Sequence, residues 1–219
     1  NRENTWSDLM ANMIELEGRR GALAAVLSNQ VEVQARLVAE RWSSNNNQFT
    51  NALASGAEPF ESQQNALDQI FAAFFYVDKV VKDLKLARPA AISPECQEDA
   101  CPEFVEHRFA AFGKEALIAN LEAARLMFVG AEDEGGMGFE DLLILEGASD
   151  LASGMLTKLD AAIEAVENIE GHLAAAIMAD PAQLVDAHAA VKAFTDDMKS
   201  QMVTVLGLRV PQEGAGDND

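Results

Sequence analysis

Apolar residues recur at three- and four-residue steps along most of the chain, the spacing that lines them up on one face of an α-helix. Between positions 5 and 42 they fall at Trp6, Leu9, Met10, Met13 and Leu16, then at Leu23, Val26, Leu27, Val31, Ala35, Val38 and Trp42. One long helix is predicted there, weakened near Gly18 or Gly21 because glycine costs about 1 kcal/mol in a helix interior. The run "SSNNNQ" at 43–48 ends it, since serine and asparagine side chains bond nearby backbone and favour turns. After a short segment and Pro59, a second long helix is predicted over 61–86, carrying Leu67, Ile70, Phe71, Phe74, Phe75, Val77, Val80, Val81 and Leu84. Its apolar arc is wide, which places it centrally.

Residues 87–112 break the pattern: Pro89, Pro94 and Pro102 oppose a continuous helix and make this a long excursion. Helical spacing returns over 114–129, stops at the glycine-rich "GAEDEGGMG" of 130–138, and resumes briefly in "FEDLLIL". A fourth helix is predicted over 149–178 from Leu151, Met155, Leu159, Ile163, Val166, Ile169, Leu173 and Ile177. Asp180-Pro181 closes it and opens a fifth, proline being preferred at the first helical position and aspartate just before it. That helix is predicted to end near Gly207. The prediction is an all-α fold, an up-and-down bundle of long antiparallel helices over 1–210, followed by a frayed acidic tail at 211–219.

Composition agrees with packed helices. The chain has 219 residues, 49% of them hydrophobic and 6% aromatic, and a chain of this length buries roughly 70% of its unfolded surface. A formal charge of −20 repels phosphate backbones and anionic membrane surfaces, so no nucleic acid partner is expected; solubility is the commoner meaning of such a charge. No apolar run reaches the roughly 18 residues of a membrane span, and no transmembrane segment is expected. The first residue is Asn1 rather than methionine, from which an upstream portion is expected.

Helical bundles often hold metals through Glu-x-x-His pairs, but the residues three before His107, His172 and His188 are Phe104, Ile169 and Val185. Glu103, Glu106 and His107 would share a face if their segment were helical, and are weak metal candidates; a solvated helix start is the plainer reading. Glu132, Asp133, Glu134, Glu140, Asp141 and Glu146 lack the alternating-oxygen spacing of a calcium loop and read as a hydrated acidic loop, with Asp141 bonding locally. Neither a G-x-S-x-G elbow nor a phosphate-binding glycine loop occurs. Cys96 and Cys101 sit in the proline-bounded excursion among Glu95, Glu98, Asp99 and Glu103. Those carboxylates raise thiol pKa and oppose a reactive thiolate. A small disulfide, implying an oxidising compartment, is the leading reading, with a free or metal-bound pair as the alternative. Arg19-Arg20 lies mid-helix: either one turns inward to hold a carboxylate, or both are solvated with their stems on apolar neighbours.

Several segments, in order, resemble the imelysin-like family. They are "RRGALAAVLSNQVEVQARLVAERW", similar to its arginine-paired helix ending in tryptophan, then "CQEDACPEFVEH" and "ALIANLEAARLMFVG", similar to its cysteine loop and asparagine-leucine helix. "GMGFEDLLILEGASDLASGMLTKLDAAIEA" and the closing "VLGLRVPQEGAGDND" continue the likeness over nearly the whole chain. Two departures stand out. The family's G-x-H-x-x-E is missing, since "EGHLAAAI" has Gly171 directly before His172 and Ala175 where the glutamate belongs; after Glu106, where serines are common in the family, this chain has Ala110 and Gly113. In the family that motif precedes the arginine-paired helix, so the chain is expected to be the C-terminal part, a second bundle plus connecting helix, of a longer protein.

The resemblance implies a bacterial periplasmic or surface-anchored protein of two helical bundles, lipid-anchored through the missing N-terminus and linked to iron uptake. Its implied partners are its own N-terminal portion and an iron-uptake membrane component, and its implied cofactor is iron or another divalent metal in the full-length protein. In a cleft between bundles this half would contribute Arg19 or Arg20, Glu106, Asn120 and Asp141. No catalytic residue is assigned. Three functions stand: a metal-capturing binding protein, a metallopeptidase of the imelysin type, and a non-catalytic interaction module.

Overall fold

A computed structural model of the chain describes residues 6–43, 48–130 and 136–211, with side chains described from 17 onward except Gln48. The predicted turn residues 44–47, the acidic Glu132, Asp133 and Glu134, and the tail from 212 lie outside the described residues. Their regular secondary structure is helical, with no strand among the described residues. They form α1 (Trp6–Trp42), α2 (Gln48–Ser55), α3 (Gln63–Phe74), a π-helix here called π1 (Val77–Ala87), α4 (Gly113–Val129), α5 (Phe139–Leu145), α6 (Ser149–Glu167), α7 (Leu173–Ala179), α8 (Ala182–Asp197), a second π segment, π2 (Met198–Met202), and α9 (Val203–Leu206).

The chain forms two compact units, Asn1–Ala66 and Leu67–Asp219. In the first, α1 ends where the Ser43 hydroxyl donates to the Glu40 carbonyl at 2.9 Å, the capping that the serine-asparagine run predicts. Trp42 packs edge-on against Phe49 of α2, ring centroids 4.8 Å apart, and Phe49 in turn meets Phe60. The helical spacing of α1 is as predicted, yet Leu23, Val26, Leu27, Val31, Val38 and Trp42 are all exposed.

In the second unit α6 packs on both α4 and α8, and α8 also packs on π1. Phe71, Phe74, Phe128, Phe139 and Phe194 meet at its centre. The Phe74 ring stacks on Phe139 at 5.2 Å and stands edge-on to Phe194 at 5.9 Å. Each such ring contributes about 1.5–3 kcal/mol through burial, and the aromatic pairs add about 0.5–1.5 kcal/mol. The bundle fold therefore follows the hydrophobic periodicity.

Three predicted helices are divided, the fifth by the change of winding at π2. The one predicted over 61–86 changes winding after Phe74, and π1 closes with i→i−5 bonds such as Arg88 N–H to Asp83 O at 3.0 Å. This wider turn leaves Leu84 49% exposed and buries Asp78, Lys82 and Lys85 beside Val77, Val81 and Leu86. The helix predicted over 149–178 stops at Glu167 and restarts at Leu173. Gly171 has φ +72°, a left-handed conformation that glycine adopts without steric cost. The end of α6 is capped from outside: Lys114 Nζ donates to the carbonyls of Glu167 and Ile169 at 2.9 and 2.7 Å, placing a cation at the negative end of a helix. Asp180 Oδ1 accepts the Ala182 N–H at 3.2 Å, the capping predicted for it, and α9 stops before Gly207, the predicted end of the fifth helix, where the glycine takes a left-handed conformation.

Candidate functional site

The excursion between π1 and α4 is built as a held loop. Cys96 and Cys101 form a disulfide, settling the alternatives left open by their spacing. Its second cysteine leads into a single 3-10 turn, Pro102–Phe104, over which the Arg88 guanidinium stacks 3.9 Å from the Phe104 ring. Three non-glycine residues here take positive φ, namely Ala91 at 58°, His107 at 54° and Ala111 at 53°. Each such residue costs of order 1–3 kcal/mol and persists only where its surroundings over-determine it.

Glu106 is the residue this loop positions. A Cβ on Gly113 would lie 2.6 Å from the Glu106 carbonyl oxygen and 3.0 Å from Leu173 Cδ1, so the absence of a side chain at 113 lets the loop close on the start of α4.

Glu106 Oε2 lies 2.8 Å from Lys85 Nζ, and the same ammonium donates to Asn120 Oδ1 at 2.7 Å. Lys85 comes from the last turn of π1, Glu106 from the loop and Asn120 from α4, so three separate elements meet at one nitrogen. The Lys85 nitrogen also sits over the Tyr76 ring, 5.4 Å from its centroid, within reach of a cation–π attraction. Burial is the largest single influence on Lys85 and lowers its pKa, but its bonds and charge interactions with Glu106 and Tyr76 together outweigh it. The ammonium is held above its ordinary 10.5. Asn120 and Tyr76 also border a cavity of about 130 Å³ whose walls include Phe74, Val77 and Met127.

A second ionic group lies further along π1. The fully buried Asp78 carboxylate is 3.3 Å from Lys199 of π2, 3.6 Å from Lys82 and 3.9 Å from Lys79. Lys82 is itself 2.6 Å from Asp83. Burial pushes the Asp78 carboxyl above its ordinary 3.8, and the opposing pull of Lys82, Lys199 and Thr195 is smaller. Through Asp78 and Lys199 this group ties π1 to π2.

The sequence-derived candidates are placed as follows. Glu106 and Asn120 are brought together, though through Lys85 rather than directly. Asp141 accepts the Gly138 N–H at 2.9 Å and caps α5, the local bonding its position suggested. Arg19 and Arg20 are exposed residues of α1 in the other unit. Glu103, Glu106 and His107 do not share a helical face, because helical winding ends at Phe104 and His107 turns the chain with its positive φ.

His107 Nε2 lies 3.7 Å from Glu106 Oε1, the oxygen not engaged by Lys85. That pair offers two donors, and among the described residues no group of three or more His, Cys, Asp and Glu is arranged to hold a metal ion. The described residues therefore do not fit a complete metal site by themselves. What they can do is present one oriented carboxylate, 37% exposed, backed by a protonated lysine and an amide.

Lys85, Tyr76 and Asp78 escaped the sequence reading. The signal was present: Asp78, Lys82 and Lys85 step by four and three through the same arc as Val77 and Val81, which puts charges on an apolar face.

A disulfide-clamped loop that delivers a carboxylate to a buried lysine on an all-α bundle defines a helical protein with a preformed polar site. The chain matches the family described as Imelysin over residues 2–201, and it belongs to that family. No curated protein and no solved structure matches it. No helix of the described residues is long and apolar enough to cross a membrane.

Proposed function

We propose that the chain serves an extracytoplasmic, imelysin-like binding protein that captures iron or another divalent metal, with Glu106 as its contribution to ligand binding. The observation that carries this reading is the Lys85–Glu106–Asn120 cluster. Its three side chains come from three elements, and the loop supplying the carboxylate is strained at His107 and Ala111. Such local strain concentrates at functional sites. Family membership and the disulfide support an oxidising, extracytoplasmic setting.

Within this reading, Lys85 orients the carboxylate and Asn120 orients Lys85, so Glu106 meets a ligand in one geometry. The remaining donors come from the histidine-glutamate pair of the family's G-x-H-x-x-E motif, carried on the protein's other helical bundle. Lipid anchoring and delivery to an iron-uptake membrane component complete the proposal.

Calorimetric titration of the intact gene product with ferrous iron and with zinc, alongside a peptide-hydrolysis assay with and without chelator, tests it. Metal binding without hydrolysis is the expected result. Hydrolysis that a chelator abolishes would replace the binder with a metallopeptidase, and absence of metal binding would leave a non-catalytic interaction module.

A further inference from the structure

A groove of about 410 Å³ runs between the disulfide loop and the junction of α7 with α8, lined by Glu98, Asp99, Ala100, Ile177, Met178 and Pro181. It shares no residue with the Lys85–Glu106–Asn120 cluster. Its volume lies within the range of roughly 300–1,000 Å³ typical of ligand clefts. We propose that this groove docks a basic, apolar peptide segment of a partner protein.

The apolar half of the argument rests on the α7–α8 side. Ile177 is fully buried and forms the floor, whereas Met178 beside it is 65% exposed. An unbranched methionine at that exposure is a common device of adaptable binding surfaces, since its side chain repacks around different apolar partners. Pro181 and Ala100 continue the wall without introducing a charge.

The polar half rests on the loop. Glu98 and Asp99 lie on the opposite lip, and neither carboxylate has a cationic partner within 4 Å among the described residues. The disulfide closes the loop on either side of them, at Cys96 and Cys101. The Cys101 N–H is further tied to Pro89 O at 2.9 Å, and Cys96 N–H to Ser93 O at 3.1 Å. The lip is therefore held in place before any partner arrives, which lowers the ordering cost of binding.

Together these features select the occupant. A bare cation gains nothing from the apolar wall, and an acidic segment is opposed both by the lip and by a chain of net charge −20. A segment in which lysine or arginine alternates with leucine-like residues satisfies both walls, its cations at Glu98 and Asp99 and its apolar side chains against Met178, Ile177 and Pro181.

Fluorescence anisotropy of a fluorescein-labelled octapeptide alternating lysine and leucine, titrated with the full chain at about 0.15 M salt, where long-range attraction is screened, tests the proposal. The same peptide with serine in place of leucine carries equal charge and serves as the probe of bare electrostatics. The lysine–leucine peptide is expected to bind at least tenfold more tightly than the lysine–serine peptide. Glu98→Lys/Asp99→Lys and, separately, Met178→Ser are each expected to weaken it at least fivefold, with thermal unfolding unchanged. The charge-matched surface control Glu115→Lys/Glu122→Lys is expected to weaken it less than twofold. Equal binding of the two peptides, an equal loss in the control, or no binding of the lysine–leucine peptide would each overturn the proposal.

Discussion

Replacing both cysteines by alanine removes the one covalent tie on the loop that carries Glu106, and the size of the effect follows from the loop's length. The bridge spans a sequence separation of only 5. In the chain-entropy account a closed loop of about six residues removes roughly 7 cal/mol/K from the unfolded ensemble, or about 2 kcal/mol at 25 °C. The unit from Leu67 onward is of a size at which each kcal/mol moves Tm by about 2–4 °C, so a drop of about 4–8 °C is expected. Cys96 and Cys101 are buried, and lost sulfur packing adds to that figure. Urea unfolding followed by circular dichroism, with equal m-values for the two proteins, gives the free-energy difference. A second readout locates it: trypsin should cut the variant faster at Arg108, which is exposed within the held loop, because local opening there becomes easier. A loss below about 0.5 kcal/mol with unchanged cleavage at Arg108 would show that side-chain packing alone holds the loop, and would refute the assignment of the disulfide as its clamp.

Phe74→Ala removes a fully buried ring from the Phe139 and Phe194 contacts and should cost about 3–5 kcal/mol by urea unfolding. Lys85→Met should cost about 2 kcal/mol near pH 7, as expected for hydrogen bonds to a charged group. Because the folded-state value of Lys85 is raised above 10.5, its contribution is complete below that pH and lost as pH rises through the folded value. The deficit of the variant relative to wild type should accordingly shrink in unfolding curves taken above pH 10.5. Gly113→Ala places a carbon 2.6 Å from the Glu106 carbonyl oxygen; a destabilisation of about 1–3 kcal/mol is expected, and no change in unfolding midpoint would contradict the close approach.

The helices were legible in the sequence because a 3.6-residue period is a local signal that apolar side chains write directly into the chain. It placed α1 and α4 within one or two residues of their observed ends. It failed at π1, where one strong apolar run hid a change of winding. Val77, Val80 and Val81 satisfy an α-helical pattern, whereas the buried Asp78 on the same run pairs with Lys82 four residues on and with Lys199 from a segment more than a hundred residues away, a partner that periodicity does not reveal. The site was half legible for the same reason. Glu106 and Asn120 stood out through resemblance and the disulfide through local spacing, but Lys85 joins them only once the loop closes on Gly113. His107 illustrates the converse: its spacing from Glu103 was ligand-like on paper, and the positive φ that removes it from a shared face is invisible to periodicity.

The central claim, that Glu106 held by Lys85 is part of a metal-capturing site in an imelysin-family protein, is tested most directly by calorimetric titration of the intact gene product with ferrous iron, wild type against Glu106→Gln. The substitution keeps the shape of the side chain and removes its charge. The account predicts that affinity falls at least tenfold, with thermal stability within about 2 °C of wild type once the ion pair's partial exposure is allowed for. Equal affinity in the two proteins would contradict it.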